Sequence, residues 1–447
     1  MSRLCKAGIV FKTVLFIVFF LWETAISTSG DCSMHKSLRS EQNKPIPERL
    51  KNELSDLDDF EYLETGIAFL MGKFDIKGAS IAVVKDGRLV YAKGLGFAEA
   101  EAKESVEPRH LFRVASVSKL ITAATIMKLT ELGLLDIDDK VFGESGILNN
   151  QVYLDFVDPR VKEITVRNLL NHSAGWNNRN ADPMTQHQVI AREFRFAPSS
   201  VTVTHILRHA LTQPLDFDPG FRTSYSNLGY AILGEVIETI TGIGYEEYVC
   251  EKILLPLGIS EMRIGKSLQS DRYENEVKYY DLADIQRFNS IDDPEQVIPL
   301  AYGGNNIETL GAAGGWIASP AEILKLVVAI DSLNNTPNLL SSESIRIMTD
   351  PRLSGGHTIG WAGTDGDGNW WRTGSLAGTS ALVMRQNDGI SWAVLFNSST
   401  CRGTNIPREI TREMRAALNN LEKWPDHDLF YHIEPPPFLY SEISRLD

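Results

Sequence analysis

Ser116 and Lys119 stand three residues apart in Val114-Ala115-Ser116-Val117-Ser118-Lys119-Leu120. On a helix such positions share a face, so the lysine can reach the serine hydroxyl. That hydroxyl is a weak nucleophile until a neighbour takes its proton. A lysine can do so only when neutral, and burial beside a second cation drives its pKa down towards working pH. The flanks Val114, Ala115, Val117 and Leu120 suit such burial. The pair alone is weak evidence, since about two S-x-x-K strings are expected by chance in a chain of this composition. Taken alone, it is better explained by a helix start with a solvated lysine.

Two further stretches change the weighing. Tyr225-Ser226-Asn227 opens an apolar helical pattern. The Tyr225 phenol can shuttle a proton between Ser116, Lys119 and a leaving group, and Asn227 can hold Lys119 and a substrate carbonyl. Trp371-Arg372-Thr373-Gly374-Ser375 falls on a predicted strand. Arg372, Thr373 and Gly374 offer a substrate a permanent cation with a carboxylate-binding fork, a hydroxyl, and room for close backbone approach. The backbone N–H groups of Ser116 and Ser375 are then candidates for an oxyanion hole.

Other motifs read as structure. Asn171-His172-Ser173-Ala174-Gly175 lacks the first glycine and the preceding strand of a nucleophile elbow, so His172 is read as a buried structural histidine. His205 and His209 have i, i+4 spacing without the accompanying glutamate or a third ligand, which points to a solvated helix face. Gly311, Gly314 and Gly315 read as sites of tight backbone packing, because no G-K-[ST] follows. No metal and no cofactor are expected.

The elements that must position these groups come from both ends of the chain. Lys77–Lys85 and Arg88–Gly96 flank Asp86-Gly87, a strong hairpin signal. Ser116–Leu135 has helical spacing. Residues 136–309 carry helical patterns at Thr165–Leu170, Val203–Leu211, Leu228–Thr241 and Tyr245–Leu254, with few strand signals. After Gly311, a helix capped by Ser319-Pro320-Ala321-Glu322 precedes strands predicted at Gly356–Ala362, Trp370–Ser375, Ser380–Arg385 and Ser391–Asn397. Pro407–Trp424 reads as a closing helix. The expected domains are therefore a sheet domain from 58–135 and 310–424, a mainly helical insertion at 136–309, and an irregular tail at 425–447.

S-x-x-K, then Y-x-N, then a basic residue-x-G, in that order, resembles the serine β-lactamase and penicillin-binding protein superfamily, most closely its class C β-lactamase-like branch. Phe112–Lys119, Gly133–Val141, Ile164–Trp176 and Gly374–Ala381 are similar to family segments. The resemblance covers roughly residues 60–420. It implies an α/β (α+β) fold of the β-lactamase/transpeptidase type, an antiparallel sheet flanked by helices with a helical insertion. It implies a serine hydrolase cleaving an ester or amide, with Ser116 acylated, Lys119 its base, Tyr225 the proton relay and Asn227 the orienting amide. The family's Lys or His is Arg372 here. The alternative is a non-catalytic relative using the cleft for binding or the fold for assembly; a true β-lactamase is a third reading.

The remaining features concern location. Arg3, Lys6 and Lys12 precede the apolar run Thr13–Trp22, and Ala25-Ile26-Ser27 follows, the pattern of a secretory signal at 1–27. An uncleaved anchor is the alternative. Residues 28–57 read as a polar linker. Cleavage would remove Cys5 and leave Cys32, Cys250 and Cys401, enough for one disulfide of open pairing. Asn171, Asn334 and Asn397 begin N-x-[ST] sequons, with Asn334 and Asn397 the candidate glycosylation sites. With 43% hydrophobic and 23% charged residues and a net charge of −14, the 447-residue chain is an ordinary globular protein and a poor nucleic-acid or anionic-membrane binder. The expected partner is a small-molecule or peptide substrate, with no membrane contact once the signal is removed; the oligomeric state stays open.

Overall fold

The structure, a computed structural model, describes residues 49–177, 181–281, 287–290, 297–332, 338–399 and 405–433. The proposed signal, Cys5, Cys32, Asn334 and Cys401 lie outside them. Within them no helix is long and apolar enough to cross a membrane, and Cys250 is a free thiol.

The hairpin at Asp86-Gly87 forms as its residues allow. Asp86 (φ 52°) and Gly87 (φ 80°) both take left-handed conformations, as a type I′ turn requires. In chain order the strands are β1 (Gly78–Lys85), β2 (Arg88–Glu99), β3 (Glu104–Ser105), β4 (Phe112–Arg113), β5 (Arg263–Ile264), β6 (Arg287–Asn289), β7 (Val297–Pro299), β8 (Trp316–Ala318), β9 (Gly363–Thr364), β10 (Trp370–Leu376), β11 (Thr379–Arg385) and β12 (Ile390–Phe396). Seven form an antiparallel sheet in the order β3-β2-β1-β12-β11-β10-β9, so the two ends of the chain meet at the β1–β12 pair. β4, β8 and β5 make a second, three-stranded sheet, and β6 and β7 pair separately.

Helices cover both faces of the main sheet. On the outer face, Ile81, Val83, Trp392 and Val394 pack with Leu63 and Ile67 of α1 (Glu61–Phe74) and with the closing helix (Ile406–Asn419). On the inner face, Ala82, Val84, Ala393 and Leu395 join one core with α2 (Ser118–Glu131), α3 (Asn227–Thr241) and α4 (Pro320–Ala329). We label the closing helix α5. Alanines at positions 82, 92 and 393 leave room for α4 to lie close to β1 and β12. β1 is buried on both sides, hence its nearly continuous apolar run. Among the described residues the helical insertion shares the core of the sheet: Leu207 and Ile232 belong to the same cluster as Ala82 and Ala393.

Several expectations need correction. No helix was expected over 61–74, yet Leu63, Ile67, Leu70, Met71 and Phe74 recur at helical spacing and are all buried. The end of the supposed linker is part of the fold. Ser55 Oγ accepts from Ala92 N (2.9 Å) and Asn52 Oδ1 from Gly94 N (2.7 Å), while Asp428 Oδ1 from the supposed irregular tail accepts from Leu89 N (3.0 Å). These side chains satisfy N–H groups on the otherwise open edge of β2 and blunt its tendency to pair with another chain. Gly356–Ala362 is not a strand. Gly355, Gly356 and Gly360 take positive φ, and a Cβ on Gly360 would lie 2.8 Å from Ala123 Cβ; the segment bends onto α2 instead of joining the sheet. Asn397 is fully buried and its amide donates to Phe97 O (3.0 Å), so it is not a glycosylation site in this fold.

The predicted cap of α4 is present, and it buries a carboxyl. Ser319 Oγ accepts from Glu322 N (3.2 Å), and Glu322 Oε1 accepts from Glu261 N (2.9 Å). Burial pushes the Glu322 carboxyl up to about 7. A group whose folded pKa is raised contributes stability that is full below its unfolded value and lost as pH rises through the folded one. Glu322→Gln should therefore gain thermal stability relative to the parent as pH rises from 5 to 7, by roughly 3 kcal/mol at most, with the gap level above pH 8. Melting temperatures of the two proteins across this range check it, and a gap independent of pH would contradict it.

Candidate active site

β4 ends at Arg113, and the chain turns sharply at Ala115, whose φ of 48° is unusual for a residue with a Cβ. A 3₁₀ turn over Ala115–Val117 runs straight into α2. Ser118 Oγ donates to Ala115 O (2.7 Å) and accepts from Trp316 N (3.2 Å), which ties the turn to β8. The result singles out Ser116: between Leu111 and Leu120 it alone is not buried.

β10 lies against this turn because Gly374 has no side chain. A Cβ there would sit 2.2 Å from Val114 O and 3.2 Å from Ser116 N. The strand's register fixes what else faces Ser116. The two-residue connection Ala377-Gly378 closes the β10–β11 hairpin on the pair Leu376–Thr379. Residues alternating with Leu376 therefore turn their N–H and C=O to the opposite edge. Trp371 follows that parity, giving its carbonyl to Ala362 N (2.8 Å). Ser375 shares it, so its N–H points to the edge that faces the nucleophile turn.

Lys119 has no exposed surface. Its Nζ donates to Asn227 Oδ1 (2.7 Å) and Ala313 O (2.5 Å), and lies 4.9 Å from the centre of the Tyr225 ring. Burial, reinforced by the charge of Arg372 and opposed by Tyr225, pushes the ammonium down to about 8. The Tyr225 hydroxyl is 2.7 Å from Ser116 Oγ. Burial alone would raise its pKa, but Lys119 and Arg372 outweigh that and bring it down to about 8. The two groups therefore titrate as one unit in the same range. Tyr225 keeps 41% of its surface exposed, so the phenol is open to a substrate while the lysine is not.

Arg372 does not present an open fork. Its guanidinium is buried, with Nε donating to Ser116 O (2.7 Å) and Nη2 to the Tyr225 hydroxyl (3.2 Å). It clamps the nucleophile's backbone and holds positive charge on the phenol, which corrects the expectation of a bidentate carboxylate contact. Thr373 alternates with Arg372 and lies on the outer face. There it lines a cavity of about 590 Å³ with Trp371, Met384 and Arg408, apart from the Ser116 cluster.

Other placements were less legible. The Ala313 carbonyl comes from the Gly311–Gly315 stretch, where close backbone approach holds at Gly315, whose Cβ would meet Ile307 O at 2.4 Å, but not at Gly311, which has open space, or at Gly314, where a Cβ would make only ordinary contact. His172 is buried as expected, but it also lies against the site. Its ring is 4.6 Å from Tyr225, and its Nδ1 accepts from Ser226 N (3.3 Å). Burial beside Arg372 and Lys119 holds its pKa well below the usual range, so it stays neutral. His205 closes a capping box with Thr202, and His209 pairs with Glu193; both serve helix packing. Asp182, which accepts from Asn227 Nδ2 (2.6 Å), had no recognisable motif around it.

Gly374→Ala should fold but lose at least tenfold in the rate of any reaction at Ser116, because a misplacement of about 1 Å can cost on the order of 100-fold. Reaction rates beside melting curves check this; unchanged rates would contradict the close approach of β10.

Comparisons with known proteins bear on the family and the fold. A family model described as Beta-lactamase matches residues 65–409. Penicillin-binding protein 4* of Bacillus subtilis (strain 168) is 29% identical over 222 residues, 48% of this chain and 44% of that protein. Protein flp of Staphylococcus aureus (strain NCTC 8325 / PS 47) is 28% identical over 217 residues, 48% of this chain and 41% of that one. The match thus spans less than half the length of these relatives. Among solved structures, the octameric penicillin-binding protein homologue from Pyrococcus abyssi is 26% identical with TM-score 0.60, over 87% of this chain and 81% of that one. D-amino acid amidase from Ochrobactrum anthropi SV3 shares the fold at 20% identity and TM-score 0.62, over 82% of this chain and 99% of that one. With a seven-stranded antiparallel sheet flanked by helices and a family match over most of its length, the chain belongs to the beta-lactamase family.

Proposed function

We propose that the protein hydrolyses an ester or amide through an acyl-enzyme on Ser116. The observation that carries this reading is the contact of Ser116 Oγ with the Tyr225 hydroxyl at 2.7 Å, beside a buried lysine and a buried arginine. The Lys119–Tyr225 unit takes the Ser116 proton as Oγ bonds to the substrate carbonyl carbon. The tetrahedral oxyanion lies against the N–H groups of Ser116 and Ser375. Collapse breaks the bond to the leaving group, which leaves with a proton from Tyr225. Water then adds to the acyl carbon, giving its proton to Tyr225, and Ser116 leaves with a proton restored. The part of Arg372 is to keep positive charge at the phenol and hold the Ser116 carbonyl.

Relatives offer a range of substrates for this chemistry. The Ochrobactrum structure is named a D-amino acid amidase, and another neighbour, EstCE1, a hydrolase with promiscuous acyltransferase activity. An ester or amino-acid amide is accordingly the substrate class we propose. Secretion by way of residues 1–27, and glycosylation at Asn334, belong to the same proposal and rest on the sequence pattern alone.

A fluorophosphonate probe should add one phosphonyl group to the protein, located by peptide mass spectrometry on Ser116, and Ser116→Ala should abolish both labelling and ester turnover while keeping the fold. Label retained in Ser116→Ala, or no acylation together with no turnover across esters and D-amino-acid amides, would overturn the assignment.

A further inference from the structure

Asp182 enters the site from the insertion, on a segment whose backbone is fixed locally. Its Oδ1 accepts from Met184 N (3.0 Å), and its carbonyl accepts from Thr185 Oγ1 (2.8 Å) and Thr185 N (2.9 Å). With the residue held this way, Oδ2 meets Asn227 Nδ2 at 2.6 Å. A carboxamide has one accepting end and one donating end. When a carboxylate holds the donating end, the oxygen must face the other way, and here it faces Lys119 Nζ at 2.7 Å. Flipped, Asn227 would turn its NH₂ to the ammonium and set donor against donor, so that Nζ would lose one of its acceptors.

We propose that Asp182 is a positioning residue of the active site: it sets the orientation of the Asn227 amide and thereby holds the Lys119 ammonium in place. This rests on the hydrolase reading above. Asp182 also brings a carboxylate charge to bear on Lys119, which faces Tyr225 and Tyr230 from the insertion and Arg372 from β10, with His172 nearby. It opposes Arg372 and burial by favouring the protonated lysine.

Two variants test the orientation and the charge. Asp182→Asn removes the charge, and its single amide oxygen can accept from Met184 N or from Asn227 Nδ2 but not from both. Asp182→Ala removes both contacts. The full-length protein, a p-nitrophenyl ester and the fluorophosphonate probe serve for both. In Asp182→Asn the acid limb of kcat/KM should move to lower pH, because the lysine loses its proton more readily without the carboxylate. In Asp182→Ala kcat and the rate of probe labelling should fall by roughly 10–100-fold, with KM changed less than threefold. Circular dichroism reports the fold of each. An acid limb and kcat unchanged in both variants would overturn the proposal, as would a loss confined to KM. A parent protein that is never acylated would instead overturn the hydrolase reading, so the two failures are distinguishable.

Discussion

A lysine side chain with no exposed surface is the constraint on which this active site depends. Removing an ammonium from water costs several kcal/mol even after the protein relaxes. Asn227 Oδ1 and Ala313 O offset part of that cost, and Arg372 adds to it. The balance leaves Lys119 where it can lose its proton near neutrality. The same balance drags the Tyr225 phenol down from its ordinary range. If Lys119 were solvated its own shift would vanish, and the Tyr225 phenol would lose the larger of the two charges that lower it.

Burying that lysine requires parts of the chain far apart in sequence. The β1–β12 pairing joins the two ends of the chain, and alanines on the inner face let α4 approach the sheet. β10 then meets the turn before α2, possible only because position 374 is glycine. The insertion adds Tyr225 and Asn227 at the start of α3, with the Ser226 hydroxyl capping that helix through Gly229 N (3.1 Å). His172, kept neutral, lies against the phenol without adding a competing charge. The shared core of sheet and insertion supplies the rigidity that this geometry needs.

Features governed by local rules were readable from the sequence. The Asp86-Gly87 turn, the Ser319 cap and the strands around Gly374 and Val394 each have a short-range signature, and each formed as expected. The triplet Ser116-Lys119, Tyr225-Asn227 and Arg372-Gly374 was readable only as an ordered set, since each pair alone is near chance. What escaped depended on tertiary context. Helix α1 is the exception, since Leu63, Ile67, Leu70 and Phe74 carry helical spacing in the sequence itself. Gly356–Ala362 looked extended, but its glycines take the chain over α2 instead. The Arg372 fork seemed free for a substrate because nothing local says that Ser116 O and the Tyr225 hydroxyl would take it up. Asp182 stands in a loop without a motif, and only folding brings it to Asn227.

The central claim is that Lys119 loses its proton far below the range of a free lysine. Protein carrying [¹³Cε]lysine, with the Lys119 resonance assigned by its absence in Lys119→Arg, allows that proton to be followed directly by NMR as pH is raised. The account predicts a titration with midpoint near 8, coupled to a matching transition of the Tyr225 phenol. A midpoint near 10.4, the value of a free lysine, would contradict it.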